Sequence, residues 1–421
     1  MISFSIHNFG CRVNQAESFL WADELQREGA VLEEDFSKSD VVIINSCTLT
    51  HRSDRDVRKF INKVFRTNPE ARMIVTGCLV ERVYDEFESM PQIWRIFRNS
   101  EKNDLAEEVL SLNFPREKTS PRVKPFRSRA LIKIQDGCDF RCSFCIIPCV
   151  RGKSISFPQE EVLSWAQKFI NMGFKEIVLT GIHICSYGRD LKPKGSLLEL
   201  LQEMEELKQL NKIRLSSLDP RFLNEPLAEH ITSSRKICSH FHLSLQHASD
   251  RVLSQMERRI TTADYQMILT YLRQRSPQAS LGADIIVGFP EESEKDFNHA
   301  YEFLKHSPLT YFHVFSFSPR PGTPASSWTQ VDEKVKKERG SLLRKLSRQK
   351  NLDFRRSFMG KELDGIVIDK HSDRSEVLTS NYIKVSVPLC PHGEREEARV
   401  KIKKVTSDET LGEIMHRPDR N

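Results

Sequence analysis

Cys138-Asp139-Phe140-Arg141-Cys142-Ser143-Phe144-Cys145 places three cysteines within eight residues. Thiolates are soft ligands, and a close set of them suits zinc or an iron–sulfur cluster. Three is one short of the four that a closed structural zinc site uses. A cluster held by three cysteines leaves one iron open to a substrate or cofactor. Zinc stays open as a reading with Cys149 as fourth ligand. Asp139 and Arg141 interrupt the run, which argues against three core cysteines that are neighbours by accident. The stretch follows a strand-like apolar run, Ala130-Leu131-Ile132-Lys133-Ile134, through Gln135-Asp136-Gly137.

Downstream, that strand opens a series. Strand patterns at Ile177–Thr180, Ile213–Leu215, His242–Leu245, Leu281–Val287 and Tyr311–Phe317 alternate with helical patterns such as Gln159–Met172, Ser196–Lys208, Thr262–Arg275 and Glu294–Lys305. Six strand–helix units predict a partial or full β/α barrel. Glycines and polar residues gather where each strand ends, the place where barrel enzymes keep their sites. Thr180 and Gly181, Ser216, and Gln246 stand after the second, third and fourth strands, with Arg258 beyond them.

Upstream, Ile2–Phe9, Val41–Asn45 and Met73–Thr76 read as strands. Helices at Ala16–Glu28, Ser53–Phe65 and Glu81–Met90 follow them. This order predicts a small parallel sheet with covering helices. Cys11, Cys47 and Cys78 each stand just past a strand, on the edge where open α/β sheets bind ligands. Three cysteines in one topological position suggest a second three-thiolate site.

Between the two domains, 112–127 is rich in proline and basic residues. Arg122, Lys124 and Arg127 make it a candidate strap for RNA phosphate. The helical pattern Glu333–Arg356 is also strongly basic, and Lys336, Lys337, Arg344 and Lys345 are candidate phosphate contacts. Short alternating strands at Leu363–Ile368, Glu376–Thr379, Ile383–Val387 and Ala398–Val405 predict a small β-barrel. The fold class expected is therefore α/β. The domains are 1–111, a linker 112–127, the barrel with its basic helix 128–356, and the terminal β domain 357–421.

The chain has 421 residues, a net charge of +6 and ten cysteines. Mean hydropathy is −0.47, and no apolar run reaches the ~18 residues of a membrane span. No signal peptide is evident at Met1–His7. A cytoplasmic protein with metal or redox cysteines is expected, not a disulfide framework.

Cys138-x3-Cys142-x2-Cys145 after a strand of a six-unit β/α domain resembles the radical SAM superfamily. Six further segments are similar to the methylthiotransferases: Asn8-Phe-Gly-Cys-Arg-Val-Asn-Gln, Asn45-Ser-Cys-Thr, Val75-Thr-Gly-Cys, Arg214-Leu-Ser-Ser-Leu-Asp-Pro, Asp284-Ile-Ile-Val-Gly-Phe-Pro and Phe317-Ser-Pro-Arg-Pro-Gly-Thr-Pro. They cover almost the whole chain, in order. Gly10-Cys-Arg-Val-Asn-Gln most resembles the branch acting on threonylcarbamoyladenosine beside the tRNA anticodon. Related branches act on isopentenyladenosine in tRNA or on an aspartate of a ribosomal protein.

The resemblance implies two [4Fe–4S] clusters and S-adenosylmethionine. Cys138, Cys142 and Cys145 would hold the cluster that cleaves this cofactor to a radical. Cys11, Cys47 and Cys78 would hold the cluster that carries the sulfur. Thr180, Gly181, Ser216, Gln246 and Arg258 would bind the cofactor, with Arg258 pairing its carboxylate. No catalytic side chain beyond the cluster ligands is implied. The terminal β domain resembles the RNA-binding TRAM domain. The implied partners are the anticodon arm of tRNA and a reductant protein such as flavodoxin or ferredoxin, with the enzyme a monomer and no membrane. Two runs depart from the family pattern: Cys149 with Arg151–Phe157, and Leu243-Ser244-Leu245-Gln246-His247-Ala248. Cys149, Cys185, Cys238 and Cys390 have no implied ligand role. A zinc-bound, non-enzymatic nucleic-acid-binding protein is the alternative from another class.

Overall fold

The computed structural model describes residues 2–112, 128–390 and 392–415. Arg122, Lys124 and Arg127 of the basic strap lie outside the described residues. The chain divides into two compact units. The first holds the N-terminal residues together with 136–139 and 146–153, and the second holds the rest.

The first unit is built on β1 (Ser3–Asn8), α1 (Arg12–Arg27), β2 (Val31–Leu32), β3 (Val41–Ser46), α2 (His51–Thr67), β4 (Arg72–Gly77), α3 (Val80–Glu88), β5 (Ile93–Phe97) and α4 (Leu105–Leu110). The strands form one parallel sheet in the order β2-β1-β3-β4-β5. All six residues of β3 are buried, as a strand covered on both faces requires. Its alternate residues feed two cores. Val41 and Ile43 pack with Phe4, Trp21 and Leu25, whereas Val42 and Ile44 pack with Val57, Ile61 and Phe87. Thr50 caps α2 by accepting a hydrogen bond from the Ser53 N–H, so the helix starts just after the loop that carries Cys47.

The second unit contains most of a β/α barrel. Along the chain run β6 (Ala130–Asp136), α5 (Ile147–Arg151, which groups with the first unit), β7 (Ile155–Ser156), α6 (Gln159–Asn171), β8 (Glu176–Gly181), α7 (Leu197–Glu206), β9 (Lys212–Leu215), β10 (Ser217–Leu218) and α8 (Glu225–Ser233). Then come β11 (His240–Leu243), α9 (Asp250–Gln255), α10 (Thr262–Arg275), β12 (Ser280–Val287), α11 (Glu294–His306), β13 (Tyr311–Ser316) and α12 (Glu333–Arg356). The strands make two arcs, β7-β6-β8-β9 and β10-β11-β12-β13. Ile213 joins them, donating to Lys236 O and accepting from Cys238 N, each at 2.8 Å. The barrel is partial, one of the two forms that six strand–helix units allow.

The second unit also holds a closed five-stranded barrel. Its strands are β14 (Glu362–Lys370), β15 (Arg374–Thr379), β16 (Lys384–Pro388), β17 (Glu397–Val405) and β18 (Thr410–Met415), ordered β14-β15-β16-β18-β17. Val367, Val377, Val385, Val400 and Ile402 fill it. No described helix is long and apolar enough to cross a membrane.

Candidate cluster and cofactor sites

Cys11, Cys47 and Cys78 follow β1, β3 and β4, which are neighbours in the sheet. Parallel strands end on one edge, so the three thiols share that edge. Gly77 has a φ of +101°, and a Cβ there would collide with the Ser46 backbone. That glycine lets β4 close against β3, where Cys78 N–H donates to Ser46 O at 3.1 Å. Burial pushes the Cys47 thiol up to about 12, with Cys11 and Cys78 adding to the rise. Burial raises Cys11 as well, against the opposing charge of Arg151. All three are free thiols. Buried thiols that resist ionisation give up their protons when a metal centre binds them. A donor set of three sulfurs at one strand edge suits a cluster.

Cys138 lies in the loop after β6, its N–H donating to Gly152 O at 3.0 Å. Gly137 turns the chain there with a φ of +66°, where a Cβ would strike Lys153 O. Cys142 is buried, and Cys145 N–H donates to Cys142 O at 3.0 Å. Ser143 fixes this part of the loop by donating from Oγ to Gln255 O at 2.8 Å. Arg258 Nη1 stands 3.9 Å from Cys142 Sγ. Cys149 is exposed, while Cys185, Cys238 and Cys390 are buried free thiols.

The barrel mouth holds several orphaned polar atoms. Thr180 Oγ1, Ser216 Oγ and Arg258 Nε are buried and have no hydrogen-bond partner among the described residues. Buried polar atoms are normally paired, so these three suit a polar ligand such as S-adenosylmethionine. Thr180 is the penultimate residue of β8, Ser216 joins β9 to β10, and Arg258 follows α9. Gly181 permits close approach, since a Cβ there would come within 2.9 Å of Gln135 O. Gln246 sits at a φ of +80°. Hydrogen bonds from its N–H to Asp284 O at 2.9 Å, and to its carbonyl from Ile286 N at 2.7 Å, hold it in that unusual conformation.

Sequence reasoning missed His183 and Asp219. His183 Nε2 lies 3.1 Å from Asp219 Oδ2, and its Nδ1 is buried without a partner among the described residues. Arg221 grips the same carboxylate at 2.9 and 2.6 Å, and Arg258 Nη1 stands 3.3 Å away. Burial alone would raise Asp219. The hydrogen bonds from Arg221 and His183, with the Arg258 charge, overcome it and hold the carboxyl far below the usual range. Phe140, inside the cysteine stretch, packs 5.0 Å from the His183 ring and 5.3 Å from Phe222. The available signal was position alone: His183 stands two residues after Gly181, and Asp219 is the one acidic residue of the Arg214–Pro220 run.

The basic helix divides its charge. Lys336 is 2 % exposed, bonded to Glu333 at 2.8 Å, with its ammonium 5.9 Å from the Phe317 ring centroid. It faces the barrel and not solvent, because the helix turns this position onto Gly288. Arg339 bonds Glu292, and Lys350 caps carbonyls at the end of α11. Lys337 and Lys345 are exposed, and Arg344 is half-buried beside Gly340. Arg348, also exposed, rims a cleft of about 540 Å³ with Arg374 and Lys384 of the closed barrel.

Residues 132–304 match the Radical SAM superfamily, and residues 3–97 match the uncharacterized protein family UPF0004. The threonylcarbamoyladenosine tRNA methylthiotransferase MtaB of Aquifex aeolicus is 35 % identical over 90 % of this chain and 95 % of its own length. MtaB of Bacillus subtilis is 33 % identical over 91 % of this chain and 90 % of its own. The ribosomal protein uS12 methylthiotransferase RimO of Thermodesulfovibrio yellowstonii is 32 % identical over 87 % of each. Among solved structures, the radical S-adenosylmethionine methyltransferase TsrM from Kitasatospora setae superposes with a TM-score of 0.55 at 14 % identity, covering 77 % of both chains. That likeness is one of fold. A partial parallel barrel with a three-cysteine loop after its first strand defines a radical S-adenosylmethionine enzyme. The chain belongs to the methylthiotransferase family of these enzymes.

Proposed function

We propose that this enzyme adds a methylthio group to carbon 2 of threonylcarbamoyladenosine, next to the anticodon of tRNA. The observation that supports it is the pair of cysteine triplets, one at the N-terminal sheet edge and one after β6, in a chain similar to MtaB enzymes over most of its length. When bound, the two clusters and S-adenosylmethionine supply the radical, the sulfur and the methyl group that no side chain can supply. The chain's own residues bind and orient. Cys138, Cys142 and Cys145 hold one cluster, and Cys11, Cys47 and Cys78 the other. Thr180, Gly181, Ser216, Gln246 and Arg258 hold S-adenosylmethionine, with His183 and Asp219 fixing Arg258 from the side.

In this reading residues 1–111 carry the sulfur-bearing cluster, 112–127 link, 128–356 make the radical, and 357–421 help to hold RNA. Exposed cations of α12, with Arg122, Lys124 and Arg127 of the linker, contact tRNA phosphate. The enzyme acts in the cytoplasm as a monomer and takes electrons from a flavodoxin- or ferredoxin-like protein. Nucleoside mass analysis of tRNA from a deletion strain tests the substrate. Loss of 2-methylthio-threonylcarbamoyladenosine alone is the expected result. Loss of the methylthio-isopentenyl nucleoside, or of the mark on the ribosomal protein instead, would overturn it.

A further inference from the structure

Arg151 ends α5, six residues beyond Cys145, and its side chain is 1 % exposed. Its Nε lies 3.1 Å from Cys78 Sγ. Its Nη2 lies 3.1 Å from Asn14 Oδ1, the atom that also accepts from Cys11 Sγ at 3.4 Å. Its Nη1 bonds Glu17 Oε1 at 3.0 Å and Asp136 Oδ1 at 2.9 Å. Glu17 in turn accepts from Lys102 Nζ at 2.6 Å and from Asn45 Nδ2 at 3.3 Å.

Burying charge is costly, and such groups persist when every partner is in place. Here Arg151 bonds both Glu17 and Asp136, and Lys102 bonds Glu17, so among the described residues the guanidinium has two carboxylate partners without any cysteine. Yet the guanidinium turns Nε, its remaining edge, toward a sulfur. A structural ion network has no need of that contact. A thiolate on a cluster does: hydrogen bonds to sulfur and nearby charge set a cluster's reduction potential. Reduction adds negative charge beside this buried cation, so the cation favours the reduced form. Partners of metal ligands commonly tune a site in this way.

We propose that Arg151 is a positioning residue for the N-terminal cluster, donating Nε–H to the Cys78 thiolate and raising that cluster's reduction potential. The proposal rests on Cys11, Cys47 and Cys78 being cluster ligands. Through Asp136 the same side chain reaches the turn before Cys138, where Asp136 Oδ1 accepts from Gly137 N at 2.8 Å.

The test uses full-length protein in which Cys138, Cys142 and Cys145 are Ala, so that spectra report one cluster. In that background Asp136→Asn is the reference. Arg151→Gln with Asp136→Asn removes the guanidinium and one of its carboxylates while leaving the Glu17–Lys102 pair. Arg151→Lys keeps the charge and loses the fork. Absence of iron in the background itself would refute the ligand assignment, separately from Arg151. With iron retained, reductive titration followed by electron paramagnetic resonance should show the double variant at least tenfold harder to reduce than its reference. That is about 59 mV for one electron. Arg151→Lys should fall between them. Iron lost from the Gln variant and kept by the Lys variant would also support the charge. Equal potentials in reference and double variant would overturn the proposal. So would loss of iron from both Arg151 variants with unchanged circular dichroism, since Arg151 would then be a strut.

Discussion

Arg214 and Glu176 form a bidentate ion pair between neighbouring strands β9 and β8, at 2.7 and 3.2 Å, with both side chains shielded from solvent. The same guanidinium donates to Thr379 O and Ser380 O, each at 3.2 Å, and lies 5.2 Å from the Tyr382 ring centroid. One side chain therefore fastens the closed barrel to the radical-forming barrel. Two residues along, Ser216 stands at the mouth. The Arg214-Leu-Ser-Ser run thus spans the barrel wall, with an anchor at one end and a cofactor candidate at the other.

Arg214→Met should cost about 3–5 kcal/mol, because it strands a buried carboxylate. Glu176 would keep the longer pairing with Arg129, at 3.4 Å. Urea unfolding measures the destabilisation, and hydrogen exchange should quicken at Thr379–Tyr382. Burial pushes Glu176 up, but the Arg214 charge and hydrogen bond outweigh it and lower the group below its usual value. A depressed carboxyl contributes stability above its unfolded pKa, roughly 4.3. That contribution is lost as pH falls through the folded value. The stability gap between wild type and Glu176→Gln should therefore be widest near neutrality and shrink in acid. A gap independent of pH would mean that the ionised pair is not its source.

Ser216→Ala and Thr180→Val should separate binding from stability. Neither hydroxyl has a partner in the described residues, so removing it sacrifices no protein hydrogen bond. The melting temperature should hold or rise. Affinity for S-adenosylmethionine, measured anaerobically on cluster-loaded protein, should fall by about 1 kcal/mol for each hydrogen bond removed. Unchanged affinity with unchanged melting would return both hydroxyls to plain packing.

The cysteines are legible in the sequence because strand ends are. A parallel sheet sends every strand's carboxyl end to one edge, so the convergence of Cys11, Cys47 and Cys78 follows from strand order alone. Edge elements were harder. The two-residue β2, the half-exposed β5 and β18 with Gly412 carry weak patterns, and none of the three stands out by periodicity. The first turn of α1 was hidden too, because polar Arg12, Asn14 and Gln15 delay the apolar period to Ala16. Lys336 counted as a surface charge until the helix phase placed it against Gly288. Arg151 and Glu17 are 134 residues apart, and periodicity carries no information on such pairings.

The two cysteine triplets should be separable by counting and by chemistry. Anaerobically reconstituted protein should bind about eight irons, and Cys138, Cys142 and Cys145 changed to Ala should leave about four. Protein lacking Cys11, Cys47 and Cys78 should still cleave S-adenosylmethionine reductively, yet form no methylthio product. A wild-type count near four, or methylthiolation at the normal rate without the N-terminal triplet, would sink the division of labour.

Binding of tRNA should depend on one stripe of α12. Positions 334, 337, 345 and 348 follow helical spacing along one face, and Lys334, Lys337, Lys345 and Arg348 are all exposed there. A single base offers little area to hold, so phosphate interactions should supply most of the affinity through counterion release. Reversing Lys337, Lys345 and Arg348 to Glu should weaken tRNA binding. The slope of log affinity against log salt should become shallower by roughly 0.7–0.9 for each phosphate no longer neutralised. Lys336→Met is the internal contrast. Its side chain is buried against Gly288 and near Phe317, with Nζ bonded to the exposed Glu333, so stability should change while the salt slope does not. Reductive cleavage of S-adenosylmethionine without tRNA should be the same in the triple variant and in wild type, since no residue near either cluster is altered. A salt series by fluorescence anisotropy on the three proteins decides the matter. Equal slopes and affinities for wild type and the triple variant would remove this face from the RNA surface, and would also be the result if the substrate were a protein.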